Sequence, residues 1–430
     1  MKPSLRHFAR LMTVLVAAAT ASGCGDIFSL EQENPGQLTA GSVYTPANAQ
    51  LLVNGVIADL ECSFMRYAVG SGLLIDELTN AIASTGNYDL DRRTQALNSP
   101  YAGGCGSVQS PGFYTGLSTA RGTGDEAYRR LEGWTDAEVP NRNRLLGQSA
   151  AYSGYAIVLL AEGFCTGAIA LSAELTPAQM FAEAITRFNQ AIAAATTAND
   201  QTTLNLARLG RARAQRGAGN LTAAATDAAL IPPTFLVTTS NDATNARRQN
   251  FVWLHTVLNF YSSVDPAFRG LTLGTGPDPR VPVTNSGRVG TAANTQIWQT
   301  GKFPAATTPM ALAKYAEAQL IVAEARVAAS DLAAAATAIN AARNSGGRTG
   351  MPQFSEAGLS ATQVRDQIIE ERRRELFLEG HRLGDIRRFN LALDPAPGAP
   401  YVQGGGTYGS ERCFSLPAVE RTNNPNIPKS

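Results

Sequence analysis

Residues 368–389 carry the densest set of side chains in this 430-residue chain that could do acid–base chemistry. The segment reads IIEERRRELFLEGHRLGDIRRF, and its carboxyl groups lie close in sequence to one histidine, His381. A histidine beside carboxylates could transfer protons, but one histidine among several arginines is more often a hydrogen-bonded structural residue. We therefore interpret the segment as a structural motif. Its members are Glu375, Glu379, His381, Arg382, Asp385 and Arg388.

Other catalytic arrangements are weak. Asp76-Glu77 is a carboxylate pair that could serve a glycosidase, but the sequence gives no separation between this pair and a partner, and helix caps or solvated groups are the simpler interpretation. The sequence has no Gly-x-Ser-x-Gly, no Gly-x-x-x-x-Gly-Lys-Ser/Thr and no His-Glu-x-x-His motif. After residue 23 the only histidines are His255 and His381, and no two cysteines lie within a few residues of each other. We expect no metal, no cofactor and no enzymatic activity.

The first 23 residues have the layout of an export signal, with a basic start, an apolar stretch and small residues before Cys24. The apolar stretch is shorter than the roughly 20 residues that span a membrane. The last residues, Ala21-Ser22-Gly23-Cys24, resemble a bacterial lipobox, whose cysteine is acylated; the alternative is an ordinary secretory signal with a free cysteine nearby. We predict a signal peptide over 1–23, lipid attachment at Cys24 and a polar tether over 24–47. The parts of the signal are Lys2, Arg6 and Arg10, then Leu11 to Ala19.

Four further cysteines, Cys62, Cys105, Cys165 and Cys413, form an even set in a chain predicted to be exported. Oxidising compartments permit disulfides, and four cysteines allow three pairings. We favour Cys62 with Cys105 and Cys165 with Cys413.

Composition and charge exclude two broad classes. With 44% hydrophobic and 17% charged residues, the chain has the balance of a folded protein with a sizeable core, not of a disordered one. After residue 23, 33 Lys and Arg face 35 Asp and Glu, a net charge of −2. Because no basic field exists to attract a polyanion, we expect no binding to nucleic acid.

Hydrophobic periodicity predicts an all-α body built from pairs of helices, over about 144–232 and 310–390. Thr176 with Gln179 forms a capping box that begins one of these helices, with Pro177 in its first turn. Small residues around Leu209-Gly210 resemble the pattern of a tetratricopeptide repeat, in which Gly and Ala let paired helices approach closely.

The second helical region is predicted in three pieces. One helix runs over 310–328 and its partner over 331–343. Residues 368–389 are predicted as a single helix with Ile369, Leu376, Gly380 and Leu383 on one buried side. At helical spacing, Glu370 would meet Arg374 and Glu379 would meet Arg382, pairs that each add only about 0.2–0.5 kcal/mol.

Two stretches between the helices, 86–124 and 234–309, are rich in Gly, Pro and Thr and are predicted to be mostly loop. Long irregular loops on a rigid scaffold commonly carry binding residues, so we place the ligand face there. Aromatic rings that stack on sugars are the usual carbohydrate platform. Trp298, in a loop flanked by Gly and Pro, is the candidate, although a tryptophan is more often a core residue.

The motif in 368–389 resembles the RagB/SusD family, whose members carry acidic-Arg-Arg-x-Glu-Leu, Glu-Gly-His-Arg and Asp-hydrophobic-Arg-Arg sequences. The segments 315–326 and 338–343, and the tail Leu416-Pro417-Ala418-Val419-Glu420, are similar to family patterns as well. The matching residues of the motif are Glu371-Arg372-Arg373-Arg374-Glu375-Leu376, Glu379-Gly380-His381-Arg382 and Asp385-Ile386-Arg387-Arg388.

The resemblance implies a function. A tetratricopeptide-like scaffold over 48–430, with long irregular loop insertions, would dock on a SusC-like TonB-dependent barrel of the outer membrane. It would be lipid-anchored on the extracellular face and would hold a nutrient for import, usually a glycan in this family, with a peptide left open. In the family the His-Arg helix is structural, and the resemblance extends that role to Glu379, His381 and Arg382.

Two other classes of function stay open. A tetratricopeptide-type envelope lipoprotein could scaffold protein complexes without binding a nutrient. A secreted hydrolase on a helical scaffold would show turnover that depends on Asp76, Glu77 or Glu379, and we expect none.

Overall fold

The computed structural model describes residues 40–96 and 99–429. Within these ranges the chain has fourteen α-helices and eight short β-strands, so the predicted all-α, tetratricopeptide-like fold with long loop insertions is confirmed. In the same ranges, no helix has the length and apolarity to cross a membrane. The predicted signal peptide, Cys24 and the tether up to residue 39 lie outside the described residues.

The elements follow one another along the chain in a fixed order. The helices are α1 Ala40–Val43, α2 Ala49–Leu74, α3 Thr85–Asp91, α4 Tyr114–Gly133, α5 Arg142–Gly163, α6 Pro177–Thr197, α7 Gln201–Gly217, α8 Leu221–Ala228, α9 Phe251–Trp253, α10 Tyr315–Ala328, α11 Leu332–Arg343, α12 Ala361–Glu375, α13 Arg382–Arg388 and α14 Ala418–Asn423. The strands are β1 Leu78–Asn80, β2 Leu236–Thr238, β3 Ser262–Val264, β4 Thr272–Leu273, β5 Gly276–Pro277, β6 Val283–Val289, β7 Gln296–Thr300 and β8 Ala311–Lys314. Helix α1 falls in a separate compact unit that ends at Thr45.

The long helices form a stack in chain order. Each of α4 to α7 packs against the next, α8 packs against α10, and α10 packs against α11 and α12, while α2 lies against α4 and α5. Phe188 of α6 shows why the neighbours come so close: a Cβ on Gly154 of α5 or on Gly210 of α7 would lie 2.8 or 2.3 Å from its ring. Glycine at both positions therefore leaves the ring room between two backbones, as expected for close helix packing.

Side-chain caps set where several helices begin. Thr176 and Gln179 form the predicted capping box before α6, and Ser360 with Gln363 forms a second one before α12. The carboxylate of Asp200 accepts the backbone N–H of Thr203 at the start of α7. These caps satisfy N–H groups that have no partner within a helix.

The prediction of one helix over 368–389 is wrong. Helix α12 ends at Glu375, and the chain reverses through Leu378 and Gly380, whose φ angles are +56° and +72°, before α13 begins at Arg382. The left-handed conformation suits glycine and breaks the helical hydrogen-bond ladder. Within α12, Ile368 is fully buried and Ile369, which was predicted to be buried, is only partly so.

Two further boundaries differ from the prediction. Residues 311–314 form strand β8, paired antiparallel with β2, and the helix begins only at Tyr315. Residues 114–124, predicted within a loop, are the first half of α4. The glycines there do not end the helix, because Gly124 packs where a Cβ would lie 2.9 Å from Ser153 of α5.

The strands form four antiparallel two-stranded ribbons, β1 with β3, β2 with β8, β4 with β5, and β6 with β7. All four ribbons lie wholly or partly in residues 234–309, between the two helical regions. The ribbon of β1 and β3 fixes the chain after α2 against the segment that precedes β6. This contact brings loops that are distant in sequence to one place.

Candidate ligand site and the buried charge network

The motif residues lie together in a buried network of ion pairs. Glu379 binds the ammonium groups of Lys302 at 2.8 Å and Lys314 at 2.9 Å. Both lysines also donate to backbone carbonyls at the end of α12, Lys314 to Glu375 and Lys302 to Phe377. Cations at a helix C-terminus compensate its unpaired carbonyls. The helical-spacing pair of Glu379 with Arg382 is therefore wrong: Glu379 joins three distant segments.

Arg382 pairs with Asp76 instead. Its Nε and Nη2 donate to the two carboxylate oxygens at 2.9 and 2.6 Å, and both residues are buried. Next to it, Glu77 accepts the backbone N–H of Leu378 at 2.8 Å, and burial raises the pKa of Glu77 to about 8. Asp76 and Glu77 are thus neither caps nor solvated groups, because they hold the turn between α12 and α13.

Asp385 and Arg388 tie α13 to α7 and α10. Asp385 accepts from Arg372 at 2.8 Å and from Arg216 at 2.8 Å. Burial would raise the pKa of Asp385, but Arg372 and Arg216 hold it at about 2. Arg388 pairs with Glu324 and donates to the backbone carbonyl of Arg216 at 3.0 Å.

His381 is enclosed by the same network. Its Nε2 lies 3.3 Å from Nη1 of Arg213, which can only donate, so Nε2 accepts and the ring is neutral. Burial and the surrounding arginines lower the pKa of His381 well below its usual value. Glu375 completes the set through Lys314 at 3.3 Å and Arg348 at 2.6 Å. All six predicted motif residues are therefore brought together in one structural network.

The cysteines pair in the structure as the sequence analysis favoured. Cys62 of α2 is bonded to Cys105, and Cys165 after α5 is bonded to Cys413. The second pair is reinforced by the backbone, because Cys165 N–H donates to the carbonyl of Phe414 at 2.9 Å. In the described part of the chain, no three His, Cys, Asp or Glu side chains cluster as metal ligands.

A cavity of about 340 Å³ lies where the loops meet. Four segments line it: Thr79 in β1, the turn from Asp265 to Arg269, the approach to β7 up to Gln296, and the loop around Gln403. The prediction of loop-borne contacts covered the second and third segments but missed Thr79 and residues 394–408. The Gly404-Gly405-Gly406 run was the sequence signal for a loop there.

The polar lining of this loop cavity offers both donors and acceptors. Asp265 accepts from Thr79 Oγ1 at 3.1 Å and from the backbone of Ala267, and burial raises the pKa of Asp265 to about 6. Gln403 is held by Thr295 Oγ1 at 3.0 Å and by Asn80 Nδ2 at 3.1 Å. A preformed recess with a few fixed polar groups is the usual form of a small-molecule site.

Trp298 lies beside this cavity and is not part of its lining. Its ring is partly buried against the core, and the guanidinium of Arg269 sits 5.1 Å from the ring centroid. Arg269 also donates to the carbonyl of Val264 at 2.9 and 2.7 Å, which fixes it at the cavity wall. Tyr67, Tyr101 and Tyr114 are buried core residues and offer no ring to a ligand.

The sequence and the fold are both similar to those of known proteins. Residues 280–416 match the model of the SusD family. The SusD/RagB resemblance of the charged motif, which lies inside this match, is thereby confirmed. The match covers about a third of the chain. No curated protein sequence matches the chain.

Solved structures of SusD proteins share the fold over nearly the whole chain. A SusD superfamily protein from Bacteroides vulgatus is similar with a TM-score of 0.67 at 16% identity, covering 89% of this chain and 98% of its own. One from Bacteroides fragilis gives a TM-score of 0.67 at 16% identity, covering 90% and 99%. A SusD-like carbohydrate-binding protein from Bacteroides vulgatus gives 0.61 at 17% identity, covering 90% and 98%. At these identities the likeness concerns the fold.

Proposed function

We propose that this protein is an outer-membrane lipoprotein that captures an oligosaccharide in its loop cavity and delivers it to a TonB-dependent barrel, without catalysing a reaction. The observation that carries the proposal is the loop cavity itself, lined by fixed donors and acceptors from four segments. Sugar hydroxyls both donate and accept, so Gln403, Gln296 and Arg269 together with Asp265 suit them chemically. A similar fold in a carbohydrate-binding SusD-like protein supports this ligand class.

The other large cavity suits a glycan less well. It has a volume of about 650 Å³ and is lined by Lys302, Lys314, Glu375 and Glu379 among others. These charged groups already bind one another, so a neutral sugar would compete with existing ion pairs. In the loop cavity, by contrast, the hydrogen-bond partners of Arg269 and Gln403 are neutral groups, so a sugar would not have to break an ion pair.

Trp298 has a supporting role in this proposal. The guanidinium of Arg269 lies over the ring of Trp298, so the ring stabilises the position of Arg269 at the cavity wall. We expect Trp298→Leu to weaken ligand binding less than Arg269→Met does. Equal losses of binding affinity in the two variants would favour direct stacking of Trp298 on a sugar ring.

Anchoring and surface exposure belong to the same proposal. Acylation of Cys24 would tether the body to the outer membrane, on its extracellular face. There the protein, bound to the transporter, would enclose the ligand between the two. Tethering supplies a high local concentration, so weak ligand binding would be sufficient.

The test is a binding screen of the purified protein against neutral and acidic oligosaccharides and peptides, followed by calorimetry on each ligand found. Gln403→Ala should weaken an oligosaccharide at least about tenfold, equivalent to about 1.4 kcal/mol. Gln353→Ala, which removes the same amide from an exposed position, is the matched control. Should Gln403→Ala lower the unfolding midpoint, Gln296→Ala takes its place. If an oligosaccharide binds both cavity variants with the same affinity as the parent protein, the assignment is refuted. Binding of proteins alone would favour the scaffold function.

A further inference from the structure

A separate cavity of about 220 Å³ lies at the junction of α5, α6, α7 and α13. Its walls include Arg216, Arg387 and Arg388, together with Phe181 and Pro177, and Glu162 is its one acidic side chain. None of the residues of the loop cavity contributes to it. The wall therefore has three positive charges and one negative charge.

Two of the three arginines have carboxylate partners. Arg216 binds Glu324 at 2.6 Å and Asp385 at 2.8 Å, and Arg388 binds Glu324 as well. The carboxylate of Glu162 is taken by Arg213, which donates to it at 2.9 and 2.5 Å. The acidic group in the wall is therefore already committed to a different arginine.

Arg387 has no ion pair with any acidic side chain in residues 40–96 and 99–429. Its Nη1 donates to the backbone carbonyls of Glu162 at 2.6 Å and Ala161 at 3.3 Å. A guanidinium has five N–H donors in a fixed plane, so this anchoring orients the remaining donors at the cavity wall. Burial lowers the pKa of Arg387, as expected for a cation without a compensating charge.

The lining also has an apolar part. Phe181 packs directly over Gly217, where a Cβ would lie 2.4 Å from the ring, and Pro177 lies beside it in the lining. A ligand in this space would meet both a fixed cation and apolar carbon atoms. The volume is below the roughly 300–1,000 Å³ of sites for drug-sized ligands, so the ligand is small.

We propose that this cavity binds a small organic monocarboxylate, with its carboxylate on the guanidinium of Arg387 and its carbon body against Phe181 and Pro177. One uncompensated cation matches one negative charge, whereas a dianion would bring excess negative charge beside Glu162. Arginine with a carboxylate forms parallel charge-assisted hydrogen bonds, which makes the pair specific in geometry. A sugar acid or an N-acylated amino acid meets this description. The inference does not depend on glycan capture in the loop cavity.

Ligand-observed NMR titration of the purified protein tests this site. D-glucuronate and N-acetyl-L-alanine are the probes. D-glucose, the uncharged counterpart of D-glucuronate, is the control. We expect one or both acids to bind and glucose to bind at least tenfold more weakly. Binding of glucuronate alone would identify a sugar acid, and binding of N-acetyl-L-alanine would extend the site to other carboxylates. Binding of neither acid, or equal binding of glucose, would overturn the proposal.

Variants locate the binding at Arg387. Arg387→Gln should weaken the acid at least tenfold, while Arg387→Lys, which keeps the cation, should weaken it less. Arg365→Gln, in an exposed pair with Asp366, is the control and should leave binding unchanged. Equal affinity in Arg387→Gln would refute the site. Should that variant not fold, a crystal structure with the acid that binds decides: a carboxylate on Arg387 supports the proposal and an empty cavity overturns it.

Discussion

The guanidinium of Arg382 holds the carboxylate of Asp76 through two parallel hydrogen bonds, although 306 residues separate them in the chain. This pair joins the end of α2 to the start of α13, and the charged motif of the SusD family thereby works as a structural clamp. The clamp lies next to β1, which contributes Thr79 to the loop cavity. Fold stability and the geometry of the loop cavity are thus linked through one ion pair.

Removing one partner of this clamp should be strongly destabilising. Asp76→Ala leaves the charge of Arg382 buried without compensation, for which we expect a loss of about 3–5 kcal/mol in the free energy of unfolding. Urea unfolding followed by circular dichroism measures it. Asp366→Ala breaks an exposed pair with Arg365 and should change stability by less than about 1 kcal/mol. Similar losses for the two variants would contradict the clamp.

The two disulfides should differ in their effect on stability. Cys62 and Cys105 are 43 residues apart, whereas Cys165 and Cys413 are 248 apart. In the chain-entropy model the longer loop adds about 1.5 kcal/mol more stabilisation than the shorter one. Comparing urea unfolding of the two double Cys→Ser variants checks this expectation. A larger loss for Cys62 and Cys105 would show that local packing, and not chain entropy, dominates.

Glu77 should make stability depend on pH. Because burial raises the pKa of Glu77 to about 8 from 4.5, the folded state retains a proton that the unfolded state releases. Its contribution is fully present below about pH 4.5 and is lost as the pH rises towards 8. Relative to the parent, Glu77→Gln should therefore gain at least about 1 kcal/mol between pH 5 and pH 8, since one pKa unit equals 1.36 kcal/mol. Glu132→Gln, at an exposed position, is the control. A difference that stays constant with pH would mean that Glu77 is ionised in the folded protein.

The sequence was a good guide where structure is local. The cap at Thr176 and the small residues at Gly210 predicted helix α6 and close helix pairing, because both effects act within a few residues or along one helix face. The prediction of one helix over 368–389 failed because the spacing of its charges is the same whether the helix is continuous or interrupted. The turn depends on distant residues: a Cβ on Gly380 would lie 3.1 Å from the ring of Tyr67, and Glu77 accepts the backbone N–H of Leu378.

The site was less accessible to sequence reasoning. Charged residues at helical spacing indicated pairs such as Glu379 with Arg382, but the true partners of Glu379 are Lys302 and Lys314, more than 60 residues away in the chain. Likewise, Thr79 and Gln403 meet in one cavity through the pairing of β1 with β3 and the folding of a Gly-rich loop. Such contacts depend on how whole segments pack, which no local pattern encodes.

Capture for import is tested most directly by affinity purification of the tagged protein from gently solubilised envelope, followed by mass spectrometry. Untagged cells and cells with Cys24→Ala, which cannot be acylated, serve as controls. We predict a TonB-dependent barrel in a stoichiometric complex with the tagged protein. Its absence, with a different envelope complex in its place, would contradict the importer function and identify the chain as a scaffold lipoprotein.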